Sequence, residues 1–170
     1  GGGTIIARQW GKRSVSGGVI TDISGASSST YTPSSSDLDA GVWYVVCTST
    51  PTCGSPMVSN EIEVEVYSLS VAPKSITAYP STSNSGDHVC PGDFVTLTVS
   101  GGELGTNPYA AWTWYKGSCG SGEPIGTGET INVQPSETTS YFVRAEGGCN
   151  TTDCASVTVW VWPQTEITEQ

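Results

Sequence analysis

Histidine occurs once, at His88, and only six residues carry positive charge. Each scarcity excludes something. A lone imidazole leaves no straightforward Ser-His-Asp or Cys-His catalytic set, and His88, within SGDHVCPG, reads as a solvated loop residue. Six scattered cations cannot neutralise a run of phosphates, so nucleic acid is not expected as a partner. An anionic lipid surface is excluded on the same ground. The formal net charge of -10 is spread along the chain and reads as a solubilising surface. No apolar run reaches the ~18 residues a helical span needs, so no direct membrane insertion is expected. The start, GGGTIIARQW, lacks a basic-then-apolar leader. If the protein is secreted, its targeting segment is expected outside this chain. Apolar residues at helical spacing are also missing, which predicts little helix.

What is abundant is Ser, Thr, Gly, Val and aromatic side chains, a composition suited to pleated, half-buried strands. Two stretches overlay each other. WYVVCTSTPTCGSPMVSNEIEVEV (43–66) and YFVRAEGGCNTTDCASVTVWV (141–161) each hold a strand, a Cys-bounded turn and a second alternating strand. Upstream, SSSTYTPSSSDLDAG matches GETINVQPSETTS, and RQWGKRSVSGG matches WTWYKGSCGSG, which makes Trp10 the expected counterpart of Trp114. A repeat of this length means tandem domains.

In the second copy, strands are predicted over 75–79, 94–100, 111–116, 124–125, 130–133, 140–145 and 156–162. Seven short strands with turn signals between them predict a Greek-key sandwich of immunoglobulin type. Period two assigns Val95, Leu97, Val99, Trp112, Trp114, Ile131, Tyr141, Val143, Val157, Val159 and Val161 to its core. The fold class expected is therefore all-β: tandem immunoglobulin-like Greek-key β-sandwiches, the first N-terminally incomplete. The expected boundaries are 1–69 (a partial sandwich lacking its first strands), 70–162 (a sandwich) and 163–170 (a linker to a following domain). The short junction YSLSVAPKS suggests a semi-rigid rod.

Six cysteines, Cys47, Cys53, Cys90, Cys119, Cys149 and Cys154, suggest an oxidising compartment and structural disulfides. Sandwich topology predicts the pairs 47–53, 90–119 and 149–154, because each pair flanks one hairpin or shares one pole. Zinc is disfavoured, since four Cys or His ligands must converge and His88 belongs to the pole away from the final hairpin. No metal and no cofactor is expected.

The remaining motifs are weak. The glycines of GSCGSGEPIG do not join a strand to a helix, so they read as turn residues and not as a phosphate cradle. Asp37 and Asp39 lack the spacing of a calcium loop and read as turn carboxylates. In EIEVEV, Glu61, Glu63 and Glu65 mark the wet face of a strand and guard its edge. Asn150 opens the triplet NTT, which matches a glycosylation acceptor. Trp160 and Trp162 alternate with the inward valines, so their indoles are expected to point outward, toward a neighbouring domain or a glycan or protein ligand.

With these residues laid out, the segments ARQWGKRSVSGG…EIEVEV and VCPGDFVTLTVSGGELG…WTWYKGSCG…SYFVRAEGGCNTTDCASVTV resemble the Ig-like repeats of large secreted Bacteroidetes proteins. Such repeats recur in surface adhesins and gliding-motility-associated proteins exported by type IX secretion. The resemblance implies an extracellular, cell-surface location, multiplication in tandem and no enzymatic activity. Trp160 and Trp162 depart from it, standing where those repeats usually carry small polar residues. The expected role is a stalk or adhesive segment whose partners are neighbouring Ig-like domains of the same or adjacent chains, with surface glycans or proteins as further candidates. The alternatives are an accessory carbohydrate-binding or spacer module of a secreted polysaccharide-degrading enzyme, and a fibre subunit assembled by strand complementation.

Overall fold

The computed structural model describes residues 3–80 and 88–163. Twelve strands and no helix are found among them. The chain forms two compact units, residues 1–67 and 68–170. The segment expected as a linker, 163–170, lies outside the described residues except for Pro163.

The first unit is a single five-stranded sheet. It comprises β1 (Ile5–Arg13), β2 (Thr21–Asp22), β3 (Gly41–Pro51), β4 (Met57–Val58) and β5 (Ile62–Val66). Strand β3 is central, with β1 on one side and both β4 and β5 on the other, all antiparallel. Its buried apolar side chains are few: Ile23, Leu38, Val45 and Val46 are each at most 4% exposed, with Val45 and Val46 on opposite faces of β3. Register corrects one equivalence. Lys12 pairs with Val45 as Trp114 pairs with Val143, so Lys12 and not Trp10 occupies the position of Trp114. The Lys12 ammonium sits 4.5 Å above the Trp43 ring and donates to the Asp37 carbonyl. A cation over an indole keeps its charge satisfied while its stem packs. Trp10 lies half-buried against Tyr31 instead.

The second unit is the predicted sandwich. Its strands are β6 (Ser75–Tyr79), β7 (Val95–Ser100), β8 (Ala111–Lys116), β9 (Gly126–Thr127), β10 (Thr130–Val133), β11 (Thr139–Glu146) and β12 (Ala155–Val159). One sheet runs β10-β7-β6, the other β12-β11-β8-β9. The expected strand at 124–125 instead lies two residues on, at Gly126–Thr127, where Gly126 pairs with Trp114. Alternation along β7 and β11 is strict, as period two requires. Ile76, Val95, Leu97, Val99, Trp112, Trp114, Tyr141, Val143, Val159 and Val161 form one cluster, with Ile131 and Val157 packed on it. Each such aliphatic side chain removed from water contributes roughly 1.5–3 kcal/mol. Val89 also joins the core, through a parallel bridge to Val161 that carries the last strand's path beyond Val159.

The expected glycosylation residue turns out to be a clip. Asn150 Oδ1 accepts from the Ser70 amide at 2.9 Å, and Asn150 Nδ2 donates to the Ser70 carbonyl at 3.0 Å. With the Val71–Glu103 bridge, this builds Ser68–Val71 into the second unit. Ser70 is 8% exposed, so Asn150→Ala leaves both its backbone groups without partners. We expect a loss of about 1–3 kcal/mol in chemical denaturation. Asn150→Asp, which keeps only the acceptor, should fall between the two.

Candidate functional site

Two features concentrate chemistry, and both belong to the β12-β11-β8-β9 sheet. The first is aromatic. Residues 88–90 run beside 160–162: the Val89 amide donates to the Trp160 carbonyl (3.1 Å) and the Trp162 amide to the Val89 carbonyl (3.0 Å). This parallel bridge sets His88 on the side of both tryptophans. Its ring stacks on Trp162 with centroids 4.3 Å apart and meets Trp160 at 6.0 Å, tilted. His88 is thus half-buried, not a solvated loop residue, because the bridge fixes its backbone. Trp160 is half-buried and Trp162 is 50% exposed. The outward pair expected from alternation is therefore a His88-backed platform with one exposed indole.

The second feature is the disulfide Cys119–Cys154, with Cα atoms 6.0 Å apart. It replaces two expected pairs, 90–119 and 149–154. The reason is register. Ala155 pairs with Val143, so Cys154 falls opposite Arg144, on the outer face that Thr113 shares. The loop from Gly117 to Ile125 folds back over that face and brings Cys119 across it. Cys149 stays in the β11–β12 turn, with Asn107 Nδ2 3.4 Å from its sulfur. Cys90 stays in a turn closed by Asp93. Cys47 and Cys53, expected as a third pair, are free thiols, as are Cys90 and Cys149. Cys47 lies within β3 opposite Trp10, and Cys53 in the following turn.

Under the strapped loop lies a polar triad. Tyr115 Oη donates to Glu146 Oε1 at 2.6 Å, and Arg144 Nε donates to the same oxygen at 2.6 Å. The guanidinium also lies 5.4 Å over the Tyr115 ring. Tyr115 is only 4% exposed, although it points away from the sandwich core. The tyrosine hydroxyl, burial and Arg144 set the carboxyl of Glu146; the net direction is below the usual carboxylate range. Conversely, the bond to Glu146 holds the Tyr115 hydroxyl above its ordinary value.

The other acidic candidates are held by turns. Asp37 accepts from both the Ser34 hydroxyl (2.6 Å) and the Ser34 amide (3.0 Å), bonds that lower its pKa. Burial, and then Asp37, pushes Tyr31 up to about 12. The Asp39 carbonyl accepts from the Trp43 indole. Glu63 and Glu65 are exposed on β5, as a wet face requires, whereas Glu61 turns back to the β1–β2 loop. Among the described residues, no three His, Cys, Asp or Glu side chains are grouped to hold a metal ion. A cleft of about 380 Å³ on the first unit is lined by Pro33, Ser34, Ser35, Leu38, Val64 and Val66, with no titratable side chain among them.

The family model described as "Ig-like domain CHU_C associated" matches residues 78–163, half of the chain. The chain belongs to this Ig-like family. The match starts within β6 and runs to the end of the Trp160–Trp162 segment, so both features above fall on the Ig-like domain. Among solved structures, the fibronectin(III)-like modules of Clostridium thermocellum CbhA share 14% identity with this Ig-like chain. The superposition has a TM-score of 0.41 and covers 98% of this chain and 85% of theirs. Comparison with curated proteins found no match.

Proposed function

We propose that this Ig-like chain is a non-catalytic structural segment of a bacterial cell-surface or secreted protein, acting outside the cell to space and attach. One observation carries the reading. The acidic groups with lowered pKa values, Asp37, Glu61 and Glu146, are each bonded to loops or neighbours of their own unit, and Asp37, which borders a shallow cleft with Lys12 and Asp22, has its carboxylate bonded to Ser34. Side chains used this way hold sheets and turns together. Membership in an Ig-like family is consistent with that use. Export by type IX secretion, tandem multiplication in an adhesin, and contact with neighbouring Ig-like domains belong to the same proposal.

A second reading has its own observation: Trp162 is half exposed and braced on one face by His88. A braced indole is a stacking surface for a sugar ring, as an accessory module of a polysaccharide-degrading enzyme would need. Glycan-array binding of the purified chain and of Trp162→Ala separates the two. The structural reading expects no saccharide signal from either protein and unchanged unfolding temperatures within a few degrees. Saturable binding that Trp162→Ala loses at least tenfold would replace it with the carbohydrate reading.

A further inference from the structure

The two units carry one device in two chemistries. Register aligns them without a gap along the sheet. Val45 pairs with Lys12 and Ile62, as Val143 pairs with Trp114 and Ala155. Lys12 pairs in turn with Thr21, as Trp114 pairs with Gly126. Glu61 and Cys154 therefore hold the same position, immediately before the last strand of the unit. On the facing loops, which differ in length, Ser16-Gly17 and Cys119-Gly120 are the residues that meet Glu61 and Cys154 respectively. Both glycines adopt the left-handed conformation, φ 70° and 63°, a turn that a side chain at Cβ disfavours.

In the second unit, Cys119 and Cys154 join covalently. In the first, the Glu61 carboxylate does the joining: Ser16 Oγ donates to Oε2 at 2.7 Å, the Gly17 amide to Oε1 at 2.8 Å, and Arg13 pairs with the same carboxylate. Each loop covers a residue of the middle strand that faces away from the core side. In the second unit Gly120 presses on the Arg144 guanidinium, and Thr113 and Tyr115 are 5% and 4% exposed. In the first, Ile20 packs on Gly11, whose pairing partner Val46 is fully buried.

We propose that these straps are independent locks on the two outer faces, the Cys119–Cys154 lock opened by a dithiol reductant and the Glu61 lock opened by acid. Cys119 is exposed, so a dithiol can reach it. The dithiol thiolate attacks one sulfur, the S–S bond breaks, and the second thiol of the reagent closes its own disulfide. Two electrons and two protons pass to the protein, leaving two cysteine thiols. Loop 117–125 then loses its tether and Tyr115, Arg144 and Glu146 open to solvent. In the first unit the groups facing Glu61 are Arg13 on β1 and Tyr44 on β3, the latter also beside Glu63. Hydrogen bonds from Ser16 and Gly17 hold the Glu61 carboxyl below its ordinary value. Its strap is therefore complete above the ordinary carboxylate pKa and is lost as pH falls through the lower, folded one.

Amide hydrogen exchange of the whole chain tests this, read as protection factors corrected for intrinsic rates. At neutral pH, dithiothreitol should lower protection in 117–125 by about tenfold or more and leave 14–20 unchanged. Glu61→Gln should lower protection at Gly17 and its neighbours by about tenfold, with 117–125 unchanged. Near-ultraviolet circular dichroism of the buried tryptophan reports that the reduced unit remains folded, and Cys119→Ser/Cys154→Ser should reproduce the reduced pattern. A reductant effect on both loops, or on neither, overturns the proposal. So does a Glu61→Gln chain whose 14–20 segment keeps its protection.

Discussion

Trp114→Ala is expected to cost the second unit about 3–5 kcal/mol, the range for emptying a large buried aromatic site. The side chain is fully buried in the centre of the cluster, between the sheet holding β7 and the sheet holding β11. Its indole also donates to the Gly128 carbonyl at 2.8 Å, which ties the β9–β10 turn to β8. Alanine removes both the volume and the donor. Trp114→Phe removes the donor with less loss of volume, and should cost clearly less than alanine. Chemical denaturation followed by near-ultraviolet circular dichroism measures both. The first unit offers an internal control, because its equivalent residue is Lys12, held over Trp43. Lys12→Ala removes a partly exposed cation–π contact and is expected to cost only about 0.5–1 kcal/mol. Equal losses from Trp114→Ala and Lys12→Ala would mean that the sandwich core is not organised around Trp114.

The contrast between those residues also marks how far the sequence could be read. Alternation named the inner face of the second unit because the inward positions of β7 and, after Thr139, of β11 are apolar, and the outward ones, Phe142 apart, are polar. Alternation says nothing about what covers an outer face. Thr113 and Tyr115 are buried by a loop that crosses the sheet, and no local pattern announces such a crossing. The same blindness produced the wrong cysteine pairs. Proximity along the chain favoured Cys149 for Cys154, whereas pairing geometry turns Cys154 toward the crossing loop. His88 failed for a related reason: a parallel bridge between 88–90 and 160–162 is non-local and leaves no periodic trace. A usable signal existed in the repeat itself. Aligned by strand position, Cys154 falls on Glu61, and Cys119 falls beside Ser16 in a loop of different length, so the repeat itself places both strap partners near one another.

The strap makes the remaining large effect. Cys119→Ala/Cys154→Ala is expected to destabilise the second unit by roughly 4 kcal/mol, the loop-closure contribution for a link spanning 35 residues. For a unit of this size that corresponds to a fall of about 15–30 °C in the unfolding temperature. Two effects act together. The unfolded chain regains the freedom of the closed loop, and the folded chain loses the cover over Tyr115 and Arg144. The charge-assisted contacts of Arg144 and Tyr115 with Glu146 survive the substitution but become solvated, which weakens them. Thermal unfolding of the double variant against the parent chain, both without reductant, gives the number. The pairing is checked in the same material by mapping non-reduced peptides. Cys149→Ala should leave the unfolding temperature nearly unchanged, because its thiol is free in the turn. If Cys149→Ala instead lowers it as far as Cys154→Ala does, the bond runs within the final hairpin and the loop 117–125 is not strapped. The sheet would then have to bury Tyr115 by packing alone, and a loop held only by the contact of Gly120 with Arg144 would be the weakest part of the unit.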